Sequence, residues 1–254
     1  MKILINSSKT MVATGIAKGD PVRLPQFQAR AAQLVTEVQK MSDADLRRIM
    51  HISPALALKT HQLYVDWATS DSGLALDTFQ GDIYKGLRAS TLSRGARDYA
   101  DQSLRILSGL YGIICPYDAI HPYRLEVGYR FAPHGSKSLY EYWGDTVAHQ
   151  LGDDLILNLA SEEYAKLVVP FVAPERIVSP LFLTVQKTAE PTFVAIHAKL
   201  ARGAFARWVL EEHITGIENL KNFTDLGYVY DVERSTAAVP VFIRHGALTL
   251  DMIG

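Results

Sequence analysis

The first ten residues constrain the fold more than any other stretch. Lys2 to Asn6 is a short, mostly apolar run that passes directly into the turn-prone Asn6-Ser7-Ser8-Lys9-Thr10. That pattern predicts a short buried strand with polar side chains at its end, where they are placed to line a cleft.

Helix-period and strand-like segments then interleave along the chain. From Leu24 to Met41, Phe27, Ala31, Leu34, Val35 and Val38 recur at helical spacing. Residues 42–67 read as two short helices around His51-Ile52-Ser53-Pro54, with Ser42 and Ser53 as N-caps and Pro54 at a first helical position, the outline of a helix-hairpin-helix. Phe79 to Tyr84 reads as an exposed turn, and Arg94 to Ser103 as a helix. Arg105 to Ile114, with two glycines, predicts a strand broken by a bulge. In Tyr123-Arg124-Leu125-Glu126-Val127 the charges alternate with apolar residues, which in a strand puts both on one face. Leu139 to Leu151 predicts a helix, Leu155 to Leu159 a strand, and Ser161 the cap of the next helix. Strands are expected over Arg176 to Val185 and Thr192 to Ala198, an amphipathic helix over Lys199 to His213, and an edge strand over Val239 to Arg244. No repeat or linker divides the chain, so one α+β domain over residues 1–254 is expected, with the hairpin helices as an insertion on its side.

Composition narrows the function classes. With 48% hydrophobic residues the 254-residue chain can bury a large core, and Lys+Arg 26 against Asp+Glu 27 leaves no overall basic field, so any anion site is local. No apolar run reaches about 18 residues, which predicts no membrane-spanning helix, and the apolar N-terminal run is too short for a secretory signal. A cytoplasmic protein is expected. The single cysteine, Cys115, sits among apolar residues and reads as an inert core thiol. The eight histidines form no His-x-His or His-x-x-x-His pair, and there is no Gly-x-x-x-x-Gly-Lys-Thr, Gly-x-Gly-x-x-Gly or Gly-x-Ser-x-Gly, so neither metal nor cofactor is expected.

Charged residues in apolar or strand-end settings carry the chemical signal, because charge there is costly unless paired or wetted by a cleft. These are Lys9, Arg124, Glu126, Asp145, Glu163, Lys166 and Arg202. Together, Lys9, Arg124, Lys166, Lys199 and Arg202 would hold an anion, with Tyr123, Trp143 and Ser161 beside them. Lys9, Glu126, Asp145 and Glu163 would serve acid–base chemistry, or the acids would hold the cations in place.

Several blocks in order resemble the YaaA family: Ser8-Lys9-Thr10, Phe79-Gln80-Gly81-Asp82-Ile83-Tyr84, Leu107-Ser108-Gly109-Leu110-Tyr111-Gly112, Pro122-Tyr123-Arg124-Leu125-Glu126, Tyr142-Trp143-Gly144-Asp145, Asn158 to Tyr164 and Ala201-Arg202-Gly203. The resemblance implies a compact mixed α/β fold peculiar to that family, a role in peroxide stress that lowers free iron, and DNA binding. On that expectation a cationic cleft accepts DNA while Arg47, Arg48, His51 and Lys59 of the hairpin contact phosphates. The alternative is an enzyme acting on a small anionic or nucleoside-like metabolite in the same cleft. A deep pocket around the charges favours the enzyme, and a long groove about 20 Å wide favours DNA.

Overall fold

The structure, a computed structural model, describes residues 1–13, 15–16, 19, 22–186, 190–246 and 248. Lys2–Asn6 is the expected strand, and Ile3, Leu4 and Ile5 are buried. It is the middle strand of a five-stranded sheet whose order is Gly112–Ile114, Leu104–Ser108, Lys2–Asn6, Ile156–Asn158, Ile177–Val178. All neighbours run parallel except the Leu104–Ser108 and Gly112–Ile114 pair, which is an antiparallel hairpin. Parallel strands covered on both faces are continuously apolar, as Ile3-Leu4-Ile5 is. From the N-terminal strand the chain adds Leu104–Ser108 on one side and Ile156–Asn158 on the other. Strand order therefore reverses at Lys2–Asn6, and the crevice beyond the carboxyl ends at such a point is where open α/β sheets bind ligands.

The helices follow local signals closely. Gln28–Gln39 buries Ala31, Leu34, Val35 and Val38. Ser42 accepts the Asp45 N–H ahead of the helix Asp43–Met50, and Ser53 accepts the Leu56 N–H ahead of Pro54–Val65. Between them His51 turns the chain in the left-handed region, at φ 52°. These two helices do not stand off as an insertion. Leu46, Ile49, Met50, Ala57 and Tyr64 bury them in the common core, and the whole is one mixed α/β domain.

Several expectations are corrected. Phe79–Gln80 is a short strand and Asp82–Leu87 a helix, with Phe79, Ile83 and Tyr84 buried rather than exposed. The glycines of Arg105 to Ile114 mark a tight hairpin, not a bulge, because Ser108 caps the turn by accepting the Leu110 and Tyr111 N–H groups. Tyr123 to Val127 keeps its buried–partly buried alternation without joining a sheet. Gly144 (φ 51°) splits the expected helix into Leu139–Trp143 and Thr146–His149. Ile177–Val178 and Leu181–Val185 belong to different sheets. Thr192 makes only a bridge to Thr184, and the helix begins earlier than expected, at Ala195, and runs to Glu211. Val241–His245 is not an edge. It lies between Leu181–Val185 and Val229–Tyr230 in a three-stranded sheet.

The long helix Ala195–Glu211 crosses Asp82–Leu87 with backbone against backbone. A Cβ on Gly203 would strike Ile83 O and Leu87 N, and one on Gly86 would strike Leu200 O and Ala204 N. Both walls are main chain and cannot yield as a flexible side chain does. Gly203→Ala is expected to destabilise the protein by about 3 kcal/mol, read from the midpoint of a urea unfolding curve at unchanged m.

Beside the hairpin strands lies the buried carboxyl of Asp118, which accepts the Cys115 N–H at 2.8 Å. Burial pushes it up to about 6, although Cys115 N–H, Arg23 and Arg105 pull the other way. A carboxyl held above its unfolded value near 4 binds its proton better in the folded state. Its contribution to stability is full below about pH 4 and lost as pH rises through about 6. Asp118→Asn keeps an acceptor for Cys115 and removes the titration. Stability measured from pH 4 to 7 should therefore fall by roughly 2 kcal/mol less in the variant than in the wild type.

Candidate functional site

A pocket of about 490 Å³ opens at the carboxyl end of the central strand. Asn6, Ser7, Ser8 and Lys9 leave that strand as its floor, and Ser161 to Tyr164 follow the neighbouring strand Ile156–Asn158. Gln80 to Tyr84 form a second wall, Lys199 and Arg202 of the long helix a third, and Glu126 a fourth.

Asn6 ties these walls together. Its side-chain oxygen accepts the Ser161 N–H at 3.0 Å, its amide donates to Ser7 O at 2.9 Å, and its carbonyl accepts the Tyr84 hydroxyl at 3.1 Å. Gly81 sits at φ 116°, and a Cβ there would come 2.7 Å from Ser8 Oγ, so the wall closes on the floor only without a side chain. The glycine crossing described above brings Lys199 and Arg202, nearly one helical turn apart, to the rim and side of the pocket.

The charges are mixed in sign. Lys9, Lys199 and Arg202 share the lining with Asp82, Glu126, Glu162 and Glu163, so the pocket is not cationic as expected. Burial raises the Glu126 carboxyl above the usual range and Glu163 adds to the rise, against Lys9, Tyr164 and Arg124. Glu163 accepts the Gly128 N–H at 3.1 Å, and the Tyr140 hydroxyl donates to its carbonyl at 3.0 Å. The Lys9 ammonium lies 5.9 Å from the centre of the Tyr129 ring. Arg202 differs from the other cations. Burial lowers its pKa, and among the described residues it has neither a carboxylate nor a hydrogen-bond partner.

Six of the residues singled out in the sequence meet here: Lys9, Glu126, Ser161, Glu163, Lys199 and Arg202. Ser161 occupies the cap position of the helix Glu162–Ala165 but makes no capping bond, contrary to expectation. Arg124 acts on Glu126 and Tyr129 from outside the lining, and Tyr123 is buried behind it. Lys166 is exposed and 3.6 Å from Glu162. Asp145 is exposed and 3.6 Å from His149. Trp143 is fully buried, donating its indole N–H to Gly109 O at 3.1 Å and covering Gly112. Neither Asp145 nor Trp143 lines the pocket, because Gly144 turns that segment away. Asn6, Gln80, Asp82 and Tyr164 line it without having been singled out as site residues. Their signal was present in the strand-end turn and in the Phe79 to Tyr84 block, which conceals a helix start. Among the described residues no group of histidine, cysteine and carboxylate side chains forms a candidate metal site, and no described helix is long and apolar enough to cross a membrane.

A switch-point pocket lined by acids and cations on a mostly parallel sheet defines a small mixed α/β protein with a built polar site. Residues 1–234 match the family model described as peroxide stress protein YaaA. The chain is 44% identical over 247 residues to a UPF0246 protein of Salinispora tropica, covering 96% of this chain and 94% of that one. It is 42% identical over 235 residues to one of Ralstonia nicotianae, covering 88% and 91%. The chain belongs to the YaaA peroxide stress family.

Proposed function

We propose that the pocket binds a small anionic metabolite and carries out acid–base chemistry on it, with Arg202 and Lys199 holding the anion and Glu126 as the proton acceptor. The observation that carries this reading is Arg202, a partly buried guanidinium that faces the cavity and has no carboxylate partner among the described residues. A fork of N–H donors left in that state matches a carboxylate or phosphate bidentately. Glu126 supports the second half. A carboxyl raised by burial, beside a second carboxyl and a lysine, holds a proton more readily than a free one and suits a proton acceptor. Size favours a metabolite over a duplex, since about 490 Å³ falls within the range of small-molecule sites while a duplex is about 20 Å across. Thermal-shift and calorimetric titration against a panel of carboxylates, phosphates and nucleotides should reveal a ligand. Arg202→Ala should weaken it at least about tenfold, and Glu126→Gln should keep binding while removing turnover. No stabilisation of the wild type by any member of the panel would sink this reading.

A second reading, DNA binding through the helix pair, is supported by exposed cations. Arg47, Arg48, His51 and Lys59 point to solvent, and Arg47 and Lys59 have no ion-pair partner among the described residues. Against it, Arg48 is paired to Asp45 at 2.9 Å, and the connection lacks the glycines that bring backbone N–H groups close to a phosphate. If it holds, fluorescence anisotropy shows duplex affinity falling steeply with salt and reduced several-fold in Arg47→Ala/Lys59→Ala. A flat titration at about 50 mM salt would dismiss it.

A further inference from the structure

The charges that line the pocket do not close on one another. Asp82 is paired with Lys85 at 3.3 Å and Glu162 with Lys166 at 3.6 Å, each with a cation one turn further on that lies outside the lining. Lys9, Glu126, Glu163, Lys199 and Arg202 make no ion pair among the described residues, although all five line one cavity of about 490 Å³. They stand on different walls. Lys199 and Arg202 come from the long helix, whereas Glu163 comes from the helix Glu162–Ala165 and Lys9 from the end of the central strand.

The fold sets the Glu163 carboxylate in place and leaves half of it open. Its Oε1 accepts the Gly128 N–H at 3.1 Å, and its backbone carbonyl accepts the Tyr140 hydroxyl at 3.0 Å. A Cβ on Gly128 would come 2.8 Å from the carboxyl carbon, so the group lies against main chain that carries no side chain. Among the described residues Oε2 has no hydrogen-bond donor. An ionised carboxylate accepts through both oxygens, so one acceptor of Glu163 is anchored and the other remains for something else.

Charge counting then defines what the cavity complements. Lys9 belongs with the acids, since its ammonium acts on Glu126. One lysine against Glu126 and Glu163 leaves one negative charge on that side, while Lys199 and Arg202 leave two positive charges on the other. A ligand bearing negative charge alone would gain at the long helix and be repelled by the remaining acid, because like charges brought together across an interface are costly. The complement is a molecule with one positive end and a negative end of up to two charges, an anion overall.

We propose that the ligand of this pocket is an anion that also carries a basic nitrogen, with its carboxylate or phosphate on Arg202 and Lys199 and its ammonium on the open oxygen of Glu163. This rests on the metabolite reading above and names its substrate class, an amino-bearing carboxylate or phosphate. Glu163 is thereby a binding residue, joined to the ligand by a charge-assisted hydrogen bond, and Glu126 keeps the role of proton acceptor.

Calorimetric titration of the protein with isosteric pairs tests this, each pair differing only in a methyl group where the first member has an ammonium. The pairs are γ-aminobutyrate and pentanoate, aspartate and methylsuccinate, and phosphoethanolamine and propyl phosphate; comparing the carboxylate pairs with the phosphate pair tells which anion the cations take. In at least one pair the amino member should bind the wild type about fivefold more tightly than its partner, a modest factor because Glu163 is exposed and its ion pair is screened. Glu163→Gln keeps an acceptor for Gly128 and removes the charge. It should abolish that preference by weakening the amino member and tightening the methyl one, two changes of opposite sign that a general loss of structure does not produce. Methyl members that bind the wild type as well as amino ones would overturn the proposal and leave the metabolite reading standing, as would a preference that survives Glu163→Gln. If no member of any pair binds, the proposal is overturned, and the metabolite reading survives only if another compound of the wider panel binds. Should Glu163→Gln fail to fold, Gly128→Ala decides instead, since its methyl group displaces the carboxyl without changing any charge, and an undiminished preference there refutes the anchor.

Discussion

The side chain of Asn6 holds the pocket together. It sits at the last position of the central strand, where the backbone ladder ends and the next donors and acceptors need partners. Its amide oxygen takes the Ser161 N–H and its carbonyl takes the Tyr84 hydroxyl, so two segments are placed relative to the sheet by one residue. The Ser7 hydroxyl then reaches Tyr164 because the strand end beneath it is fixed. An aspartate in place of Asn6 would keep the acceptor but lose the donor to Ser7 O, and would add a negative charge to a site that already holds Glu126 and Glu163.

Charge in this site is organised by cost rather than by sign. Lys9 offsets part of the mutual repulsion of Glu126 and Glu163, and the Gly128 N–H takes up part of what desolvation removes at Glu163. Arg202 has no such compensation among the described residues, yet the fold keeps it there by a backbone crossing that tolerates no side chain at Gly86 or Gly203. A cation held by rigid backbone without a carboxylate partner among the described residues is the feature on which the proposed anion site rests. In the proposed reading that asymmetry between partnered acids and an unpartnered cation gives the pocket its direction, anion at one side and proton transfer at the other.

How much of this was legible in the sequence varied with the range of the interaction. Ser42 and Ser53 announce their helices through bonds to residues three positions away and Pro54 through its fixed φ, and the structure has them where local chemistry puts them. Ile3-Leu4-Ile5 reads as a strand because burial on both faces leaves no alternation to misread. Thr192 to Ala198 misleads for the opposite reason: its first residues are β-branched or aromatic, but no partner strand extends past Thr192, and the apolar face that wins is helical. Lys9, Glu126, Glu163 and Arg202 stand out as charges in apolar blocks. Asp145 stands out in the same way and points elsewhere, since the turn at Gly144 cannot be read as a direction from sequence. The buried hydroxyl pairs Ser7–Tyr164 and Ser108–Tyr123 are invisible in sequence, because nothing distinguishes either serine from an ordinary turn serine until distant segments are superposed.

The family's link to peroxide stress invites a thiol chemistry that this chain does not favour. Reaction of a cysteine with peroxide proceeds through the thiolate, so reactive cysteines sit beside cations or helix N-termini that hold the thiol low. Cys115 is the only cysteine of the chain, and burial pushes its thiol up, with Asp118 and Asp101 adding to the rise against Arg105 and Arg23. It is only half-buried, not the core thiol its apolar neighbours suggest, yet its environment still opposes ionisation. Cysteine oxidation in the manner of a thiol peroxidase is therefore a poor account of this member of the family. On the reading proposed above, the polar pocket is the better place to look for the connection, through a bound metabolite rather than through oxidation of the protein itself.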